Sequence, residues 1–279
     1  MTETKKRLGP SVRQPQARYD RTLQKQHRAR QLQMTQLVAL AGVVAVSFYF
    51  VDLLNWQLLL EGVSYFFGIL GEMLPPDFGR AREWIGPLMD TLAMSIAGTA
   101  IAIFFSVPLA LLGARNTTPH PVFYYCTRSI LNVTRAIPEL ILGMILVVAV
   151  GFGKLPGTLA LGLHSIGMVA KFFSEAIELA DKAPIEATRS VGASELQVIF
   201  HGILPQVLPQ MADVSLYRWE YNFRASLVLG AVGAGGIGLE IDSALSILEY
   251  QQVSALLIVI LVLVTLVDSC SNFLRKRFV

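Results

Sequence analysis

Three ionisable side chains and a methionine recur at helical spacing within one apolar stretch of the sequence. His164, Met168, Lys171 and Glu175 lie at positions i, i+4, i+7 and i+11, so a helix would place all four on one face. Ionisable groups are costly inside a membrane helix and are functional candidates by default. Such a face could line a polar path, relay protons or contact another subunit. The alternative is that it only fixes helix packing.

Three further pairs of polar residues are four positions apart, namely Glu220 with Arg224, Arg218 with Asn222, and Arg135 with Glu139. An acid that precedes a base by four residues is the favourable order for a helical ion pair, and the reverse order is weaker. The cations of the first two pairs could donate hydrogen bonds to an anion. In the competing interpretation, the carboxylates neutralise the arginines and hold helices together. For Arg135 and Glu139 we favour that packing role.

No motif for catalysis or ATP binding occurs in this sequence. HExxH, GxSxG, GxxxxGK[ST] and an acidic metal-binding cluster are all absent. Cys126 and Cys270 have neither CxxC spacing nor nearby histidines. We therefore predict no catalytic residue, no metal site and no cofactor in this chain. Energy for any transport would come from another polypeptide or from an ion gradient.

A glycine run near residue 235 matches the pattern GxGxxG through Gly233, Gly235 and Gly238. A dinucleotide-binding motif needs a strand before it and an acidic residue about 20 positions further on, whereas residues 257–261 are all apolar. In a membrane helix, glycines instead permit close packing or local unwinding beside a cavity. We expect Gly233, Gly235, Gly236 and Gly238 to form an outer gate, with close helix packing as the alternative.

Composition places these residues in a membrane protein. Of 279 residues, 53% are hydrophobic and 15% are charged, and the mean hydropathy is +0.54. These values argue against a soluble globular enzyme. Nine basic and two acidic residues precede Leu37, so this arm carries +7 and the remainder −4 of the net charge of +3. A basic arm before an apolar body indicates a cytoplasmic N-terminus at a bilayer, and we expect no nucleic-acid partner.

Windows of about 20 largely uncharged residues, the length that crosses a bilayer, predict six spans. They cover residues 37–57, 88–114, 130–150, 159–173, 225–239 and 253–267, of which the fifth is the weakest. Basic residues at the C-terminus place that end in the cytoplasm too, and two cytoplasmic ends require an even number of crossings. The predicted organisation is a basic cytoplasmic arm (1–36), a first span (37–57), an outer interfacial segment (58–87), a core of five spans (88–273) and a cytoplasmic tail (274–279).

The longest cytoplasmic segment, 175–210, contains the sequence EAT followed by Gly192 and later by a Leu-Pro pair. It resembles the EAA loop of binding-protein-dependent ABC importer permeases, although Thr188 and Gly202 depart from that pattern. The resemblance implies a short helix that docks into a groove on an ATP-binding subunit. The alternative is an ordinary amphipathic loop. The candidate coupling residues are Glu186, Ala187, Gly192, Leu204 and Pro205.

Three runs narrow the resemblance to the phosphonate-transport permeases of bacteria: 159–165, 217–224 and 230–238. The first two are the more specific, since amino-acid and methionine importers share the glycine run. The similarity extends from about residue 75 to the end of the chain. It makes His164, Ser165, Lys171, Arg218, Glu220, Asn222 and Arg224 candidates for the path of a phosphorus oxyanion.

This resemblance implies an all-α integral membrane protein with six transmembrane helices and the type I ABC importer permease fold, in the bacterial inner membrane. It also implies a homodimer, two ATP-binding subunits that hold ATP and Mg²⁺, and a periplasmic substrate-binding protein. Phosphonate, phosphite and hypophosphite are not distinguished as substrates. The alternatives are a methionine or other amino-acid importer, and an ion-coupled secondary transporter that works without an ATPase.

Overall fold

The structure, a computed structural model, describes the backbone of residues 10–278 and the side chains of residues 25, 26 and 28–277. Its regular elements in that part are all helical, which confirms the predicted all-α class. They are α1 (Pro10–Phe50), α2 (Trp56–Glu72), α3 (Ile85–Gly113), α4 (Pro121–Ala136), α5 (Glu139–Val150), α6 (Lys154–Glu178), α7 (Lys182–Ser190), α8 (Glu195–Gln197), α9 (Leu204–Leu229), α10 (Ile237–Ser246) and α11 (Tyr250–Phe278). Two π-helical segments, Val198–Ile203 and Gly230–Ala234, precede and follow α9.

The chain divides into two units, residues 1–68 and 69–279. In the first unit, no proline or glycine occurs between residues 16 and 41, so nothing interrupts α1 before the predicted first span. Residues 10–36 of the predicted arm are therefore helical, and residues 1–9 lie outside the described part of the chain.

The first predicted span ends earlier than residue 57. α1 stops at Phe50, and Asp52, with a φ of 53°, lies in the turn that leads to Trp56 at the start of α2. A single span over 37–57 is therefore wrong at its C-terminal end. α2 occupies the first half of the segment predicted to lie at the outer interface. Its aromatic side chains, Trp56, Tyr65, Phe66 and Phe67, are exposed.

α6 is the central helix of the second unit, where it packs against α3, α4, α5 and α9. Thirteen of its 25 residues are buried. Small residues allow this close contact: a Cβ added to Gly98 would lie 2.9 Å from the Leu161 Cβ, and one added to Gly162 would lie 2.9 Å from the Ile101 Cγ2. Because protein surrounds α6, this helix can carry polar residues that a helix facing lipid could not.

Within the described residues, three helices are long and apolar enough to cross a membrane, judged by length and composition. They are Arg28–Phe50, Ile85–Gly113 and Tyr250–Arg277, and the number rises to five if each of two bent helix pairs forms one span. α6, which contains the predicted fourth span, is not among them, because His164 and Lys171 lower its hydropathy. The count of six spans therefore stays a prediction.

The predicted third span, 130–150, is not one straight helix. α4 and α5 meet at a bend of 85°. Pro138 favours an extended conformation for the residue before it, and Ile137 has φ −89° and ψ 118°. The prediction of a single helix over this range is wrong, and the bend lies between Arg135 and Glu139.

The predicted fifth span, 225–239, contains the end of one helix and the start of another. α9 leads through its π-helical segment into α10 with a bend of 56°. Gly233, Gly235 and Gly236 have φ values of 86°, 80° and 76°, which residues with a Cβ rarely adopt. The fifth segment is therefore bent, and the glycines permit the bend.

The segment 175–210 contains the end of α6, then α7, α8, the first π-helical segment and the start of α9. Asp181 caps α7 by accepting a hydrogen bond from the backbone of its second residue over 3.1 Å. Gly192, with a φ of 84°, follows the C-terminal end of α7. Ser194 and Gln197 then form a capping box at the start of α8. The sequence thus terminates α7 on both sides and holds it as a separate short helix.

α11 includes most of the predicted cytoplasmic tail, 274–279. The helix continues to Phe278, and Val279 lies outside the described residues. The first half of α11 packs into an apolar cluster with Trp84 and Ile237, to which it contributes Val253, Ala255, Leu256 and Ile260. Among the described residues, none after Val264 in α11 belongs to the apolar clusters of the core.

Candidate translocation path and coupling segment

A hydrogen-bonded polar cluster lies between α3, α6 and α9. Arg218 is 1% exposed and donates a hydrogen bond from Nε to the Ser165 Oγ over 2.8 Å. The Ser165 hydroxyl donates to the Asn222 Oδ1 over 2.9 Å, and the Asn222 Nδ2 donates to the Thr99 Oγ1 over 2.9 Å. These four residues form the buried polar cluster. Arg218 and Asn222, predicted as a direct pair, are joined through Ser165 instead.

Glu139, the first residue of α5, supplies the counter-charge for Arg218. Its Oε2 lies 3.8 Å from the Arg218 Nη2 and 3.6 Å from the His164 Nε2. Its Oε1 accepts a hydrogen bond from the Tyr221 hydroxyl over 2.9 Å. The Arg218 guanidinium also lies over the Tyr221 ring, 4.2 Å from the centroid. The Glu139 side chain is 20% exposed, so the contacts of Arg218 extend from the buried polar cluster toward the subunit surface.

The predicted ion pair between Arg135 and Glu139 does not form. The bend at Pro138 directs Glu139 toward α6 and α9, whereas Arg135 donates a hydrogen bond to the Asn132 Oδ1 over 2.7 Å. Spacing of four residues brings side chains together only within a continuous helix. Glu139 is therefore part of the candidate path, although we expected it to have a packing role with Arg135.

The predicted polar face of α6 is present, but its members have different partners. The His164 Nδ1 lies 3.1 Å from the carbonyl oxygen of Ile137, at the bend between α4 and α5. The Met168 Sδ accepts a hydrogen bond from the buried guanidinium over 3.3 Å. Lys171 lies 3.5 Å from Glu175, and its side chain is 35% exposed. Lys171 thus shares the face but not the buried polar cluster.

Glu220 and Arg224 face α11 instead of α6. They form the predicted pair, with 3.9 Å between the Arg224 Nη2 and the Glu220 Oε2. Arg224 also donates to both carboxylate oxygens of Asp268, over 3.0 and 3.1 Å. Residues six positions apart, such as Arg218 and Arg224, lie about 240° apart around a helix. The four predicted path residues on α9 therefore form two pairs on different faces of the helix, namely Arg218 with Asn222 and Glu220 with Arg224.

The candidate gate glycines divide between turning and close packing. Gly233, Gly235 and Gly236 occupy the positive-φ bend, whereas a Cβ on Gly238 would collide with the Leu227 carbonyl oxygen. α10 therefore packs directly on the backbone of α9. Gly233 and Gly235 also line an open concavity of about 700 Å³ with residues of α5 and α10. The glycine run thus contains both an unwound bend and a close helix contact, and its gating role stays a prediction.

Three of the five candidate coupling residues lie at the surface, and the other two are the first residues of α9. Glu186, Ala187 and Gly192 are exposed, and the last two line a concave surface of about 620 Å³. Leu204 and Pro205 begin α9. α9 also carries Arg218, Asn222, Glu220 and Arg224. The coupling segment is therefore connected to all four of these candidate path residues through one helix.

Comparison with known proteins decides the family. The family model for the "binding-protein-dependent transport system inner membrane component" matches residues 102–279. The chain belongs to this permease family. The phosphite transport system permease protein PtxC of Stutzerimonas stutzeri is 57% identical over 246 residues, which are 88% of this chain and 90% of PtxC. The phosphate-import permease protein PhnE of Mycolicibacterium smegmatis is 41% identical over 219 residues, or 78% of this chain and 41% of PhnE.

Solved structures give the same fold. The MetNI methionine ABC transporter in an inward-facing conformation has a chain that is 22% identical to this permease, with a TM-score of 0.64, over 73% of the permease and 99% of that chain. The predicted ABC importer permease fold is confirmed. Its relatives are transport subunits, so the chain is a transporter component and neither a membrane-embedded enzyme nor an ion-coupled secondary transporter. Among the residues that the structure describes, no group of three or more His, Cys, Asp or Glu side chains could hold a metal ion.

The sequence analysis did not identify several residues that pair with charged or polar side chains of a different helix. These are Thr99, Tyr221, Asp213, Asp268 and Arg275. Helical spacing relates residues of one helix and carries no information on which neighbouring helix they meet. A signal was present for Asp268, which is an isolated acid directly after the most apolar stretch of the chain.

Proposed function

We propose that this permease carries a phosphite- or phosphonate-type phosphorus oxyanion inward across the bacterial inner membrane. The observation that supports the proposal is the 57% identity to PtxC over 88% of the chain. His164 and Arg218 meet at Glu139. The partly buried His164 is a donor that an oxyanion could reach, and the buried Arg218 adds positive charge behind it. Selectivity belongs mainly to a separate binding protein, because a path that held its substrate tightly would not release it.

The experiment is uptake by vesicles that contain the full transport complex, with phosphite, methylphosphonate, phosphate and methionine compared under one protocol. Phosphite or methylphosphonate uptake that depends on ATP is the expected result. Phosphate is the second candidate, since PhnE is named as a phosphate-import permease. Methionine is the third, on the likeness to MetNI. Methionine uptake without phosphorus-oxyanion uptake would overturn the proposal.

The topology in this proposal has six spans and two cytoplasmic ends. The spans are α1, α3, the α4–α5 pair, α6, the α9–α10 pair and α11. Basic Arg115 and Arg128 then lie inside, and acidic Glu249 lies outside. Impermeant maleimide labelling of variants that lack the two native cysteines tests this arrangement. Leu248→Cys should react in intact spheroplasts and Val191→Cys only after permeabilisation, since both side chains are exposed. The reverse pattern would contradict the orientation.

The coupling part of the proposal is that two ATP-binding subunits, which hold ATP and Mg²⁺, dock on the segment from Glu186 to Pro205. Gly192 offers a sharp test, because a Cβ there would meet no atom within 4 Å although its φ is 84°. Gly192→Arg should abolish uptake while the protein still inserts, since a long charged side chain would obstruct the docking surface. Gly192→Ala has the same backbone strain without the bulk and should keep most of the uptake. Equal loss in both variants would point to folding instead.

The assembly in this proposal contains a second copy of the permease around a central path, with a periplasmic substrate-binding protein above it. A related but different permease subunit is the alternative partner. Co-expression of two differently tagged copies distinguishes these arrangements. Recovery of both tags in one purified complex supports the homodimer. Recovery of one tag only, together with a second permease, supports the heterodimer.

A further inference from the structure

The contact between α9 and α11 carries a series of charges that alternate in sign. The Arg275 Nε lies 2.9 Å from the Asp213 Oδ1, and the Arg275 Nη2 lies 3.0 Å from the Glu220 Oε1. Glu220 then lies 3.9 Å from Arg224, which lies 3.0 Å from Asp268. Acid and base thus follow each other in order along the two helices. These five residues form the charge ladder.

The charge ladder follows the geometry of both helices. On α9, Asp213, Glu220 and Arg224 are separated by seven and four residues, which places them on one face. On α11, Asp268 and Arg275 are separated by seven. The three residues on α9 extend over about 16 Å at a rise of 1.5 Å per residue. The ladder therefore connects the two helices along several turns.

α11 is held in two different ways along its length. Its first half packs in the apolar cluster around Trp84. In its second half Val267 and Ser271 are buried, but among the described residues none after Val264 belongs to that cluster. The ladder adds ion pairs between that second half and α9. Arg224 and Asp268 are 45% and 37% exposed, so this pair forms at an accessible part of the helix contact.

Ion pairs suit a joint between helices that change position. An apolar contact that slides leaves a cavity or a clash, because protein interiors are close-packed. Charge pairs act over a longer range, and long side chains can keep contact while the backbones shift. Arg275 and Arg224 each contact two acids, so one contact of each arginine can lengthen while the other remains.

We infer that the charge ladder is a coupling joint, which makes the second half of α11 follow α9 when the coupling segment moves. α9 begins at Leu204, at the end of that segment, and carries three of the five ladder residues. The inference rests on the proposed coupling function. It assigns Arg224, Asp268 and Arg275 as positioning residues that transmit motion. They do not need to touch the substrate.

The first test is charge reversal in the complete complex, reconstituted in liposomes with its ATPase and binding protein. Arg224→Asp and Asp268→Arg should each lower the substrate transported per ATP hydrolysed by about fivefold or more, the lower end of typical coupling factors. The double variant should regain most of that ratio, because the two exchanged charges would pair again. Lys276→Gln, an exposed cation of α11 outside the ladder, is the matched control and should keep the ratio. A double variant as impaired as the single variants would overturn the inference.

A second measurement needs no substrate and separates this inference from the proposed substrate. Gln210→Cys and Asn272→Cys, which line one concavity between the ends of α9 and α11, are cross-linked with a short bifunctional maleimide after replacement of Cys126 and Cys270. With an intact ladder, the yield should be the same without nucleotide and with ATP plus vanadate. In Arg224→Asp it should differ between these states, and the double variant should restore equality. A yield that depends on nucleotide with the ladder intact would show that α11 does not follow α9.

Discussion

The two faces of α9 use arginine in opposite ways. Arg218 is 1% exposed and is fixed by hydrogen bonds to Ser165 and by the nearby carboxylate of Glu139. The Arg224 side chain is 45% exposed and contacts the carboxylates of α11 and of its own helix. A buried charge that loses a partner is costly, whereas exposed ion pairs contribute about 0–1 kcal/mol each. The buried face therefore fixes helix positions, and the exposed face can adjust while remaining neutral.

The largest expected difference between these faces is in stability. Arg218→Met leaves the Glu139 carboxylate without its guanidinium, and we expect a loss of about 3–5 kcal/mol in the free energy of unfolding. Arg224→Met removes an exposed pair and should cost about 1 kcal/mol or less. Denaturant unfolding of the purified permease in detergent measures both. Equal losses would show that the two faces do not differ in rigidity.

The bridging hydroxyl of the buried face is the next target. Ser165→Ala removes the bond that Arg218 donates and the bond that Asn222 accepts, so the predicted loss is about 1–3 kcal/mol. Ser174→Ala is the matched control. Ser174 is also buried on α6, but its hydroxyl bonds only the carbonyl of Lys171 within the same helix, and we expect about 0.5–1 kcal/mol there. The same unfolding assay compares them, and a larger loss at residue 174 would contradict the central role of Ser165.

A smaller effect is expected at the hydrogen bond between Tyr221 and Glu139, which is nearer the surface than the buried polar cluster. Tyr221→Phe removes the hydrogen bond to the Glu139 carboxylate and should cost about 1 kcal/mol, because partial exposure lets water replace the hydroxyl. The ring and its contact with Arg218 remain. Tyr217→Phe, at a side chain that is 50% exposed on the same helix, should change stability less. An equal loss of stability in the two variants would show that the hydrogen bond to Glu139 contributes little.

The smallest effect is the salt dependence of the exposed face. A double-mutant cycle of Arg224 and Asp268 to alanine should give a coupling energy of about 0.5 kcal/mol at low salt and close to zero at about 0.5 M salt. The corresponding cycle for Ser165 and Asn222 should keep its value, since buried neutral groups are not screened. Calorimetric or denaturant unfolding at both salt concentrations provides the measurement. A coupling of Arg224 to Asp268 that survives high salt would place this pair with the rigid contacts.

Helical spacing predicted some contacts within one helix well. The acid-first pair Glu220 and Arg224 is present, and so is the common face of His164 and Lys171 on α6. The spacing argument failed for Arg135 and Glu139, because Pro138 lies between them and ends the helix. That proline was visible in the sequence, and weighing its effect on Ile137 would have separated the pair.

The sequence by itself determined the class of this protein. Composition and the uncharged windows indicated a membrane protein of helices, and the EAA-like segment with the 217–224 run indicated an ABC permease. These features are local, so they can be read from neighbouring residues. The same is true of the ends of α7, where Asp181 and Gly192 act through their own backbone surroundings.

Only the tertiary structure decided which charges belong together. Asn222 meets Thr99 across 123 positions of sequence, and Arg224 meets Asp268 across 44. Helical periodicity determines which residues share a face, but the helix that covers that face depends on packing of the whole bundle. Small residues and one proline set that packing through close approach and bending. For this reason the arginines of one eight-residue run have two separate roles.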